Sequence, residues 1–171
     1  TIEHGGINLD NLINLCVLDI SSNSTLENIY IQKFIHLQEL NCYFCTKIRN
    51  SSISKLINLQ ILNCNYNNYI TDKSICKLIK LVELHCNKTN ITDKSIIHLI
   101  NLRILSCDAC KFITDVSIST CIELIELYCS SSNISDKSIR YLINLKILDC
   151  SNNSNITDAS IIYLINLEML N

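Results

Sequence analysis

A six-residue segment returns along this chain at almost constant intervals, and that periodicity limits its fold more than any other feature. LQELNC at Leu37 recurs as LQILNC from Leu59, LVELHC from Leu81, LRILSC from Leu102, LIELYC from Leu124 and LKILDC from Leu145. A first copy, LCVLDI, starts at Leu15 and a last, LEMLN, at Leu167, so successive starts lie 22, 22, 22, 21, 22, 21 and 22 residues apart. A second block, ITDKSI, begins at Ile70 and Ile91 and returns as ITDVSI at Ile113, ISDKSI at Ile134 and ITDASI at Ile156. The next Ile follows Cys42, Cys64, Cys107 and Cys150 by six residues, but Cys86 and Cys129 by five. Both short steps therefore lose one residue from the same loop. A unit of this size cannot bury its own apolar face, so copies must stack, with parallel strands on one side and helical returns on the other.

Each unit reads as a short strand, a turn and a helix of roughly two to three turns. Numbered from its first Leu, positions 1, 4 and 6 face inward, and positions 3 and 5 face the other side of the sheet. Position 9 holds Asn23, Cys45, Asn67, Thr89, Cys110, Ser132 and Asn153, where a polar side chain can serve backbone groups bared by the turn. Thr or Asp of the second block, for example Thr92 or Asp93, sits where a helix N-cap belongs. Asn14, Asn58, Asn101, Asn144 and Asn166 fall where each helix stops, a place that tolerates left-handed backbone.

The unit L-x-x-L-x-C-x-x-(N/C/T)-x-x-I resembles the leucine-rich repeat. With its ITD block it is most similar to the cysteine-containing subtype of F-box/LRR proteins. The 22-residue step with ITD also resembles internalin repeats, and the units are shorter than the F-box subtype usually shows. The match runs from about Leu9 to Asn171. The resemblance implies an α/β fold: a curved horseshoe solenoid, with a parallel sheet on the concave face and helices on the convex face. It is expected to form one domain over residues 1–171, with about seven repeats of 21–22 residues and a partial last one.

Composition narrows the functional classes. The apolar fraction is 48%, net charge is -2 and the isoelectric point is near 6.0. Ample branched aliphatics exclude disorder, and near-neutral charge argues against a nucleic-acid partner. No stretch reaches the roughly 18–20 apolar residues that a membrane span needs. The chain opens at Thr1 without a Met or a signal-like stretch and is expected to be a fragment or processed product. The last copy stops at Asn171 before its position 6, so an open strand edge is expected there.

Eleven cysteines invite a metal site, a disulfide framework or a packing role. Cys42-x-x-Cys45 and Cys107-x-x-Cys110 look like a zinc pair, but the register sets them three coils, about 14 Å, apart. A column of cysteines, odd in total, fits a small buried hydrophobe better, and that implies a reducing cytoplasmic setting. Cys121 is expected to be buried; Cys16 and Cys76, at variable positions, are the more reactive thiols. Asn23, Asn50, Asn87, Asn90, Asn133, Asn152 and Asn155 each open an N-x-S/T sequon, which the repeat itself generates. The histidines His4, His36, His85 and His98 occupy unrelated positions, and only His85 falls on the open face, beside Glu83. The ITD aspartates, Asp72, Asp93, Asp115, Asp136 and Asp158, suit caps better than calcium, which takes six to eight oxygens.

These readings point away from an enzyme, a cofactor or a small-molecule substrate. They point to a protein-binding scaffold whose partner meets the concave face. Candidate contact residues are Glu39, Tyr43, Phe44, Ile61, Asn63, Tyr66, Glu83, His85, Ile104, Glu126 and Tyr128. The resemblance implies the substrate-selecting part of an F-box/LRR ubiquitin ligase; a secreted or surface adhesion protein of internalin type is the alternative.

Overall fold

The computed structural model describes residues 11–23 and 28–171. His4 and the start of the repeat match near Leu9 lie outside them. Eight strands alternate with seven helices: β1 (Val17–Asp19), α1 (Asn28–Ile31), β2 (Glu39–Asn41), α2 (Asn50–Ile53), β3 (Ile61–Asn63), α3 (Asp72–Ile75), β4 (Glu83–His85) and α4 (Asp93–Ile96). There follow β5 (Ile104–Ser106), α5 (Asp115–Ile118), β6 (Glu126–Tyr128), α6 (Asp136–Ile139), β7 (Ile147–Asp149), α7 (Asp158–Ile161) and β8 (Met169–Leu170). The strands form one open parallel sheet in sequence order. Equivalent repeat positions pair across it: Leu40 with Leu62, Leu62 with Leu84, Leu84 with Leu105. Because side chains alternate with period two, a slip of one residue would turn every inward Leu to solvent, so burial enforces this register.

The core is a set of columns. Leu37, Leu59, Leu81, Leu102, Leu124 and Leu145 supply position 1; Leu40 through Leu148 supply position 4; all are buried. Cys42, Cys64, Cys86, Cys107 and Cys129 fill position 6 without measurable exposure, and Cys121 is buried in place of a helix Leu. Cys150 departs from its column. It is only half-buried, and its thiol donates to the Asn171 carbonyl at 3.3 Å.

Three expectations are corrected. The helices are single four-residue turns rather than two to three turns, because a 21–22-residue coil must also hold a strand and two loops. The cap is Thr or Ser alone: Thr71, Thr92, Thr114, Ser135 and Thr157 accept the N–H two residues on. The aspartate that follows is the first helical residue and reaches across to the next coil. Asp93, for example, accepts Thr114 N–H at 2.8 Å, Thr114 Oγ1–H at 2.7 Å and Ser117 Oγ–H at 2.5 Å. Asp72, Asp115 and Asp136 repeat the arrangement, and Asn50 does so through its amide.

The third correction concerns left-handed backbone. Asn58, Asn101, Asn144 and Asn166 do not adopt it; their amides donate to carbonyls of the preceding coil, those of Ile35, Ile79, Ile122 and Ile143. Asn14 is likewise not left-handed. Positive φ falls instead at position 8: Ser22, Phe44, Tyr66, Lys88, Ala109, Ser131 and Asn152, between 54° and 61°. No glycine stands at any of them, so the turn is imposed by the stack and not by local preference.

Candidate protein-binding face

Position 9 explains how the sheet ends so uniformly. Asn67 donates to the Cys45 and Ile48 carbonyls of the coil before it, at 2.7 and 3.2 Å. Where cysteine replaces asparagine, its thiol does similar work: Cys45 Sγ donates to Ile20 O at 2.8 Å, and Cys110 Sγ to Cys86 O at 3.0 Å. In the two short loops a hydroxyl stands there, and Thr89 Oγ1 bonds the Cys86 carbonyl of its own coil at 2.7 Å. Thus the CxxC pairs hold turns. All eleven cysteines are free thiols. Burial pushes the Cys42, Cys64, Cys107 and Cys129 thiols up, and Cys121 to about 11. Cys110 is drawn the other way, to about 7, by its hydrogen bonding with Cys86 and Thr89, but it is only 1% exposed. Burial keeps it from reagents even so.

A second ladder runs at position 7, one residue past the face. Asn65 Oδ1 accepts Asn87 N–H at 2.6 Å, Asn87 Oδ1 accepts Asp108 N–H at 2.7 Å, and Asp108 Oδ1 accepts Ser130 N–H at 2.8 Å. Each strand therefore leaves the sheet in a fixed direction. Position-8 side chains stand outward beside it.

That geometry gathers an aromatic group. Tyr43 and Tyr66 meet edge to face with ring centres 5.5 Å apart, and Phe44 lies 6.3 Å from Tyr43. The Lys88 ammonium stands 5.1 Å from the Tyr66 ring centre. Phe44 is 56% exposed, and both tyrosines remain open to solvent. Phe44 and Tyr66 are bulky residues held at positive φ, an arrangement costing about 1–2 kcal/mol each relative to right-handed backbone.

On the sheet itself the remaining candidates share one face. Glu39, Ile61, Glu83, Ile104 and Glu126 pair in register at position 3, and Asn63, His85 and Tyr128 lie at position 5. A depression of about 260 Å³ is lined there by Val17, Asp19, Glu39, Ile61, Asn63, Glu83 and His85. His85 Nε2 and Glu83 Oε1 lie 2.6 Å apart, and Tyr128 donates to Glu126 Oε2 at 2.9 Å. The structure thus brings all eleven candidates to one sheet face and its loop edge. His36 and His98 are exposed elsewhere.

No protein-family model and no curated protein matches the sequence. Solved structures do. An internalin (InlF) from Listeria monocytogenes superposes with a TM-score of 0.75 over 94% of this chain at 20% identity. The chain folds as a leucine-rich-repeat solenoid. It spans 48% of that internalin's length. The functional domain of InlJ from the same organism, described as including a cysteine ladder, matches with a TM-score of 0.62 and 22% identity, over 95% of this chain and 45% of that one. A chain of the Rad7 and Elc1 complex in yeast matches with a TM-score of 0.68 and 21% identity, over 92% of this chain and 50% of that one.

One feature of this leucine-rich repeat escaped the sequence reading. Ile13, Ile35, Ile57, Ile79, Ile100, Ile122, Ile143 and Ile165, one per coil, are each at least half exposed. They run along the edge where strands begin, and Ile100 and Ile122 border a hollow of about 950 Å³ with Val82 and Arg103. The recurring LIxL motif was the available signal.

Proposed function

We propose that this chain is a non-enzymatic interaction module that takes a protein partner on the open face of its sheet, in a reducing compartment. The observation that carries the reading is the Tyr43–Phe44–Tyr66 group, three exposed rings in contact beside a face that no other element covers. Exposed aromatics with a polar surround are what protein interfaces use as anchors. Folding alone would favour glycine at positions 44 and 66, so the strained aromatics are retained at a cost to stability.

Two features support the reducing compartment. The position-9 thiols are engaged with turn carbonyls as S–H donors, a state that oxidation would abolish. The sequon nitrogen of Asn50 is also engaged, donating to Thr71 Oγ1 at 2.9 Å within the ladder, where a glycan would crowd that bond. Within this reading the substrate-selecting arm of an F-box-type ubiquitin ligase is the finer assignment, and a secreted internalin-type adhesin is its competitor. An F-box encoded upstream of Thr1 supports the first and a signal peptide the second.

The test is to recover a partner by pull-down and measure its affinity for three variants. Tyr43→Ala with Tyr66→Ala should weaken binding about thirty-fold or more, the worth of an anchor of ~2 kcal/mol, without unfolding. Truncating Lys73, Lys94 and Lys137 on the helix side should change little. If the lysines matter and the tyrosines do not, the partner docks on the helices and the reading falls. For the compartment, Ellman's reagent should find few thiols before denaturation and eleven after; linked column cysteines would overturn it.

A further inference from the structure

We infer that the open face binds an extended basic peptide running across the strands, with a lysine or arginine at every third residue. The inference rests on the reading of that face as the binding surface and names the chemistry of its partner. Position 3 alternates along the solenoid: Glu39, Ile61, Glu83, Ile104, Glu126 and Ile147 are direct register partners on six consecutive strands. Neighbouring strands lie ~4.8 Å apart, so a carboxylate recurs about every 9.6 Å with an isoleucine midway.

An extended chain crossing the strands must match that spacing. Polyproline II rises ~3.1 Å per residue with three residues per turn, so every third side chain points the same way at a repeat of about 9.3 Å. Cations at i, i+3 and i+6 would then meet Glu39, Glu83 and Glu126, with the side chains between them over Ile61 and Ile104. A β-strand repeats a face every two residues, about 6.6 Å, and falls out of step after one contact.

Charge favours the same partner. Positions 3 and 5 together carry Asp19, Glu39, Glu83, Glu126 and Asp149, and no lysine or arginine. The chain's net charge of -2 therefore conceals a sheet face of negative character, with Lys88 standing at its loop edge over Tyr66. Asp19 and Asp149 are committed to hydrogen bonds from the turns, from Ser21 N–H and from Ser151. The glutamates are not. Among the described residues Glu83 meets only His85, and Glu126 accepts only the Tyr128 hydroxyl, which leaves one oxygen of each open. The aromatic edge at Tyr43 and Tyr66 flanks this row, where an arginine can stack on the Tyr43 ring.

The test uses two labelled twelve-residue peptides of equal composition and charge, one with lysine at every third position and proline between, the other with its lysines at alternate positions. Anisotropy at about 150 mM salt, where surface charges are screened beyond ~8 Å, compares them. The in-register peptide should bind about tenfold more tightly, and Glu39→Gln, Glu83→Gln and Glu126→Gln together should remove that advantage while the melting curve is unchanged. Equal binding of the two peptides, no binding of either, or an undiminished preference in the triple variant overturns the inference. The wider reading is judged by Tyr43 and Tyr66 against a recovered partner. A partner that needs the tyrosines but is indifferent to the three glutamates sinks this inference and leaves that reading standing.

Discussion

Two rows of carboxylates run along this solenoid, and the structure uses them differently. Asp72, Asp93, Asp115 and Asp136 each take three hydrogen bonds from the next coil, one of them from a serine hydroxyl with no exposure, such as Ser95 or Ser117. Among the described residues, Glu83 and Glu126 each have a single partner, on their own strand. From Asp72 to Asp136 the first row is aspartate because its neighbours are backbone N–H groups and buried hydroxyls, which must be satisfied in every coil, and Asn50 meets the same need with its amide oxygen. The second alternates with isoleucine because nothing in the fold depends on it. A saturated carboxylate marks architecture, and an unsaturated one on an open face marks a surface available to a partner.

The contrast breaks most sharply under alanine. Asp93→Ala removes charge-assisted bonds and strands the Ser117 hydroxyl, so urea unfolding should show a loss of about 3 kcal/mol. Glu83→Ala should stay within about 0.5 kcal/mol. Equal losses would mean the open-face row is structural after all. As a reference, Leu84→Ala should cost ~2–5 kcal/mol through a core cavity.

A gentler change sharpens the comparison. Asn28 and Asn50 stand where the later coils have aspartate, and Asn50 accepts the same Thr N–H and Ser hydroxyl bonds while its Nδ2 donates to Thr71 Oγ1. Asp93→Asn should therefore cost about 1 kcal/mol, well below the alanine variant, measured in the same urea series.

Acid should act on Asp136. Hydrogen bonds from Ser160 and Thr157 hold the Asp136 carboxyl below its ordinary value. A depressed folded-state pKa gives stability that is complete above the unfolded value, near 3.9, and lost as pH falls through the folded one. Melting temperature should thus drop below about pH 4, and Asp136→Asn should flatten that drop; an unchanged profile would remove Asp136 from the ladder's energetics.

The smallest effects lie at position 8. Ser131→Gly should gain up to about 1 kcal/mol by removing the Cβ penalty at positive φ. Tyr66→Gly should gain similarly in melting while losing partner affinity. A gain in both would place the aromatic group outside the interface.

Much of this was legible because a repeat converts sequence position into spatial position. The inward Leu and Cys columns, the strand register and the burial of Cys121 follow from a period of 21–22 and strand alternation. The candidate face was legible for the same reason, since positions 3 and 5 of every strand share a side. The one-turn helices were misread because the apolar spacing before each strand mimics helical period while the chain is already turning. The left-handed positions carried no local mark, having no glycine. Nor did the aspartate's true partner show, because it lies 20–24 residues ahead.

By itself, the sequence determined that this chain stacks as parallel coils with a Leu–Cys core and leaves positions 3 and 5 to face outward, because a unit that cannot bury its own apolar face has no other stable arrangement. Only the tertiary structure decided which polar atoms are consumed in joining one coil to the next. Thr92 and Asp93 are neighbours in sequence, yet Thr92 caps its own turn while Asp93 reaches forward to Thr114. That choice depends on where the next coil's backbone N–H groups point once the stack has formed. Left-handed Phe44 and Tyr66 have the same origin: the stack fixes the turn, and the residue there must accept it.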